Sequence, residues 1–130
     1  MFKFSGRRPG KLGVHAGRFT APPSWKPNWV SSQVSADDAH YIAPLAQAGD
    51  AAAAIARVAK VVAALPRVSI VRNDGAYLYA EFSTALLGYV DDVEFFADGK
   101  AVQVRSSSRL GVRDFGVNRK RIEAIRRALA

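Results

Sequence analysis

The chain has no cysteine among its 130 residues. That excludes a disulfide scaffold, a zinc–thiolate site, a cysteine nucleophile and a thioether-linked lipid. No run of 18 apolar residues occurs, which excludes a membrane-spanning helix. The first ten residues, Met-Phe-Lys-Phe-Ser-Gly-Arg-Arg-Pro-Gly, hold no apolar stretch of the kind a cleaved secretory signal needs. The cytoplasm is the expected location. There is no glycine-rich nucleotide loop, nucleophile elbow or metalloprotease helix. Asp114-Phe115-Gly116 spells a kinase magnesium motif, but the glycine-rich loop, strand lysine and catalytic loop that give it meaning are missing. No acidic residue occurs before Asp37.

What is present fits one globular domain, with 49% hydrophobic and 23% charged residues. The net charge of +8 is unevenly spread. Residues 1–36 carry +6, residues 37–99 carry −5, and residues 100–130 carry +7. One reading is a basic surface for an anionic partner. The other is that two basic ends fold against an acidic middle.

Residues 1–36 are rich in Gly, Pro, Ser and Arg and show neither helical nor strand period. They also hold Phe2, Phe4, Leu12, Phe19, Trp25, Trp29 and Val30, so an irregular arm packed on the domain is expected. The domain proper then spans residues 37–130. His40 to Leu45 reads as a short strand near Pro44. Asp50 is a helix N-cap, and Ile55, Val58, Val61, Val62 and Leu65 form the apolar face of a helix that Pro66 ends. Val68–Arg72 and Tyr77–Ser83 flank the hairpin signal Asn73-Asp74-Gly75. Gly88–Ala97 and Ala101–Ser107 flank Asp98-Gly99. A last helix begins near Asn118 and buries Ile122, Ile125 and Leu129. The order β-α-β-β-β-β-α with hairpin turns predicts an α+β two-layer sandwich: an antiparallel sheet of about five strands with two helices on one face. That order is similar to the TATA-binding-protein-like fold, a likeness that says nothing about activity.

Three polar clusters stand out. Asn28, Ser31, Ser32, Gln33, Asp37, Asp38, His40 and Tyr41 gather short polar side chains around one histidine, without metal-ligand spacing. In the third hairpin-linked strand, alternation puts Asp92 and Glu94 on one face. Carboxylates in a strand cost several kcal/mol unless paired, on the order of 3–5, which predicts Arg105 as partner and allows Glu81 to join. Finally Arg105-Ser106-Ser107-Ser108-Arg109, Arg113, Asp114, Asn118, Arg119, Lys120, Arg121 and a helix N-terminus form an expected anion-binding corner. Its alternative is internal satisfaction by Asp114 and the acidic strand. Tyr77 and Tyr79 share a face where bases could stack, but basic residues do not interleave with them.

The runs Phe4-Ser-Gly-Arg-Arg-Pro-Gly-Lys-Leu-Gly-Val14, Pro27-Asn-Trp-Val-Ser-Ser-Gln33, His40-Tyr-Ile-Ala-Pro-Leu45, Tyr89-Val-Asp-Asp-Val-Glu-Phe-Phe96, Arg105-Ser-Ser-Ser-Arg109 and Asp114-Phe-Gly-Val-Asn-Arg119 are familiar in this order. The chain resembles the uncharacterised bacterial and plastid family called domain of unknown function 1499, over nearly its whole length. The resemblance implies one domain with no assigned activity. The family pattern carries two cysteines in the arm. Here Pro22-Pro23 stands near the first and Trp29 at the second, so the resemblance implies aromatic packing in place of a thiol clasp.

The leading expectation is a non-enzymatic binding or accessory domain. Its anion-accepting site would join Asn28, Ser31, Ser32, His40, Asp92, Glu94, Arg105, Ser106, Ser108, Arg109, Asp114, Asn118 and Arg119. No cofactor or metal is expected; a small anionic ligand or a protein is the expected partner, and nucleic acid is not. The alternatives are a hydrolase or isomerase using His40 with Asp92 or Glu94, and peripheral binding to an anionic membrane or nucleic acid.

Overall fold

The Asp50 side chain accepts a hydrogen bond from the Ala53 amide at 2.8 Å and opens helix α1, Ala51–Ala63. Ala54, Ile55, Val58 and Val62 form its buried stripe. The computed structural model describes residues 6–85, 88–111 and 113–130. Beyond α1 run the strands β5 (Val68–Asp74), β6 (Tyr77–Ser83), β7 (Val90–Ala97) and β8 (Ala101–Ser108), then helix α2 (Val117–Leu129). Each strand pairs antiparallel with the next. Gly99, at φ +98°, makes the turn between β7 and β8 in a region that side chains rarely enter.

The expected α+β fold is present, with both helices packed on one sheet face. The strand count is higher than expected. Strands β3 (Trp29–Ser31) and β4 (Leu45–Ala46) both pair with β8, making a six-stranded sheet of order β3-β8-β7-β6-β5 in which β4 takes the stretch of the β8 edge at Ala101–Val102 and β3 the stretch at Arg105–Ser107. A two-stranded ribbon, β1 (Val14–His15) with β2 (Arg18–Phe19), lies outside it. The arm is therefore not irregular throughout. Strands of two or three residues are too short for any period to show. The expected strand at His40–Leu45 shrinks to β4, preceded by a single bridge from Tyr41 to Ser31. Asn118 is not the N-cap of α2, which is Gly116.

Alternation divides the sheet cleanly. Leu78, Ala80, Phe82, Val93, Phe95, Val102 and Val104 meet Ile55, Val58, Val62, Ile122 and Ile125 in the main core. The opposite face presents Tyr77, Tyr79 and Glu81 of β6, Asp92 and Glu94 of β7, and Arg105 of β8. The arm covers that face. Phe19 is buried with Tyr77 and Tyr79, and Leu12, Val14, Val71 and Phe96 pack around them. Tyr77 and Tyr79 are thus closed off, which removes them as a stacking platform for bases.

Candidate functional site

Residues Glu94 and Arg105 face each other across the β7–β8 ladder. Glu94 is fully buried. Its carboxylate accepts from Arg105 Nε at 2.8 Å, from the Gly13 amide at 2.6 Å and from the Tyr77 hydroxyl at 2.5 Å. Gly13 sits at φ +99°, a conformation that favours glycine. Arg105 also donates to the Thr20 carbonyl at 2.9 Å.

One step along, Arg109 grips both oxygens of Asp92 at 2.9 Å and donates to Glu81 at 2.5 Å. Tyr79 donates to Asp92 at 2.5 Å, and its oxygen lies 2.9 Å from Glu81. Arg8 of the arm closes the set on Glu81 at 2.6 Å. Three carboxylates meet three guanidiniums, so the cluster is neutral. The Arg8 hydrogen bond, helped by Tyr79 and Arg109, holds Glu81 down to about 2 despite partial burial. Desolvation pushes the Tyr77 and Tyr79 hydroxyls well above the usual phenol range, so both stay protonated donors. The pairing of Arg105 with the acidic strand, and the inclusion of Glu81, match the expectation from strand alternation. Arg8 and Gly13 were not expected, because nothing in their spacing ties them to a strand some 70–80 residues away.

The other expected residues do not join this cluster. Ser106 and Ser108 point to the helix side of β8, because successive side chains alternate. There Asn118 accepts from Ser106 at 2.6 Å and donates to Ser108 at 2.9 Å and to the Asn28 carbonyl at 3.1 Å. The Asn28 amide donates to the Gly111 carbonyl at 2.8 Å. Arg121 spans Asp91 at 2.7 Å and Ser106 at 3.1 Å. The N-terminus of α2 is filled by the protein itself. Asp114 accepts from the Gly116 amide at 2.9 Å and the Asn118 amide at 3.2 Å. Arg119 donates to the Tyr41 and Ala39 carbonyls at 2.8 and 3.0 Å. The expected single site thus splits into an outer cluster and an inner clasp, separated by the sheet.

At the sheet edge, Ser32 donates to Gln103 at 2.8 Å and accepts from the Val104 amide at 2.8 Å. Ser31 accepts from the Gln33 amide at 3.1 Å. The His40 ring stacks on Trp29 with centroids 3.7 Å apart. One ring nitrogen faces Asp38 at 2.7 Å and the other faces the Lys26 carbonyl at 2.6 Å. The His40 backbone amide and ring hold the Asp38 carboxyl below its ordinary value. Neither ring nitrogen is hydrogen-bonded to Asp92 or Glu94, whose oxygens are taken by Tyr and Arg donors. Among the described residues, no three His, Asp or Glu side chains are placed to hold a metal ion.

Where the arm crosses β8 it leaves a cleft of about 270 Å³. Arg105, Ser107, Arg109 and Asp92 form its floor; Pro22, Pro23 and Thr20 form one wall. Arg7, Lys11 and Lys26 also line it. Among the described residues, none of these three cations has a carboxylate partner. The floor acid, Asp92, is already matched by Arg109.

Fold and site together define an α+β domain whose sheet lies between two helices and a basic arm, the arm backbone being hydrogen-bonded at Gly13 and Thr20 to the buried Glu94–Arg105 pair. The sequence pattern described as a protein of unknown function, DUF1499, matches residues 20–129, and the chain belongs to that family. No curated protein and no solved structure matches the chain. The match begins at Thr20, so the arm residues that supply Arg8 and Gly13 precede it.

Proposed function

We propose that the protein is a small non-enzymatic binding domain whose anion-accepting site is the cleft between the arm and β8. The observation that carries this reading is the charge balance of the cleft. The one acid of the floor, Asp92, is paired with Arg109, and Arg105 is paired with Glu94 beneath it, so Arg7, Lys11 and Lys26 remain as surplus positive charge in the lining. Guanidinium and ammonium groups flanking a hydroxyl such as Ser107 suit a phosphate or carboxylate group. The buried Glu94–Arg105 pair supplies rigidity through its hydrogen bonds to the Gly13 amide and the Thr20 carbonyl of the arm, which hold the arm on the sheet before a ligand arrives.

Thermal unfolding of the full chain with inorganic phosphate, citrate and nucleotides tests the reading. A ligand at 100 times its dissociation constant adds about 2.7 kcal/mol of stability. For 130 residues that is a rise of about 10 °C in Tm. The Lys11→Ala/Lys26→Ala variant is expected to lose most of the rise. No shift with any anion, or an undiminished shift in that variant, overturns the reading.

A further inference from the structure

Trp25 is 72% exposed, while the other tryptophan, Trp29, is 2% exposed. An indole left in water is uncommon, because its apolar area favours burial. Trp25 lies in the chain between Pro23 and Lys26, and both of these line the anion cleft. The Lys26 ammonium stands 5.8 Å over the indole centre. The bare indole therefore adjoins the cleft through Pro23 and Lys26, one of its surplus cations.

A free phosphate would use the cations and leave the indole in water. An anionic bilayer surface uses both. Indole rings settle at the level of the headgroups, where one edge is apolar and the other wet. Lys and Arg beside them are drawn to anionic headgroups. The arm suits such a surface in sign, since residues 1–36 carry six bases and no acid. A single-stranded nucleic acid would ask for several stacking rings along a basic groove, and the Tyr77 and Tyr79 rings of this face are covered by the arm.

Resting on the anion-cleft reading, we propose that the arm is the docking face for an anionic phospholipid bilayer, with a headgroup phosphate in the cleft and Trp25 in the headgroup layer. Docking is peripheral: no helix among the described residues is long and apolar enough to cross a membrane.

The test mixes the full chain with phosphatidylcholine vesicles, with or without phosphatidylglycerol, and reads co-sedimentation and tryptophan emission. Binding is expected only with phosphatidylglycerol, with a blue shift. Trp25→Phe abolishes the shift, because the remaining indole is already buried. Each cation removed at Lys11 or Lys26 weakens vesicle binding about fivefold. Removing Lys120 and Arg127, exposed on α2 away from the cleft, leaves it nearly unchanged. These sites are exposed or make no side-chain hydrogen bond, so folding is not at stake, and circular dichroism checks it.

If phosphate stabilises the protein but vesicles do not bind, the bilayer proposal falls and the anion cleft stands. If neither binds, both fall. Loss of Lys120 and Arg127 costing as much as loss of Lys11 and Lys26 overturns the docking face in favour of general charge attraction. Tighter binding to a single-stranded oligonucleotide than to vesicles, with the same emission change, overturns the lipid assignment.

Discussion

Replacing Arg105 by Met tests whether the buried pair with Glu94 holds the arm and sheet together. Glu94 is fully buried, and Arg105 is 5% exposed. Met keeps the length and apolar stem but removes the charge. Glu94 retains the Gly13 amide and the Tyr77 hydroxyl, but both are neutral donors. An uncompensated buried charge costs about 3–5 kcal/mol, far more than an exposed pair. The unfolding entropy of a 130-residue chain, at about 2.1 cal/mol/K per residue, turns that into a fall of roughly 11–18 °C in Tm. Urea unfolding at constant m-value gives the free energy directly. The double variant Arg105→Met/Glu94→Gln removes both charges and keeps an amide oxygen for Gly13 and Tyr77. It is expected to recover about 2 kcal/mol relative to Arg105→Met alone. A loss below about 1 kcal/mol in the single variant refutes the reasoning, because a pair that weak behaves like one in water. So does a double variant as unstable as the two singles combined.

Long elements were legible in the sequence and short ones were not. The apolar faces of α1 and α2 and the alternation of β6, β7 and β8 each repeat often enough to stand out. The same alternation located the outward carboxylates and their Arg105 partner. Strands β1 to β4 have two or three residues each, so their pairing is set by tertiary contacts. The candidate site was half legible for the same reason. Arg105 to Arg109 read as one polar run, but a strand sends odd and even positions to opposite faces. The seryl side chains of Ser106 and Ser108 bind Asn118, while the arginines bind the acidic strand. Arg8 and Gly13 reach Glu81 and Glu94 across 73 and 81 positions, and no local rule links such distances. The charge pattern carried more than any motif. Of its two readings, basic ends folding against an acidic middle is the one followed by the pairs of Arg8 with Glu81, Arg105 with Glu94, Arg109 with Asp92 and Arg121 with Asp91.

Trp29→Ala is expected to destabilise by about 3–5 kcal/mol, because a buried indole is lost with its stack on His40. Trp29→Phe keeps a ring but loses the Nε1–H bond to the Pro23 carbonyl, and is expected to cost about 1–2 kcal/mol. Equal losses in urea unfolding would show that the stack contributes nothing. Glu81 contributes to the pH dependence of stability, beside Asp38 and Asp98, whose carboxyls are also held below their ordinary values. Arg8, then Tyr79 and Arg109, lower its pKa from an ordinary 4.5 to about 2 in the folded state. A depressed acid binds fewer protons folded than unfolded, so its stabilisation is complete above about pH 4.5 and is lost as pH falls towards 2. Glu81→Gln cannot titrate and is expected to flatten that part of the acid limb, with stability compared from pH 5 to pH 2. Arg8→Ala removes the foremost cause of the depression and is expected to move the loss to higher pH, since Arg109 and Tyr79 hold Glu81 less firmly alone. An acid limb unchanged by Glu81→Gln would mean that Glu81 titrates alike folded and unfolded, and that the arm is not held by this carboxylate.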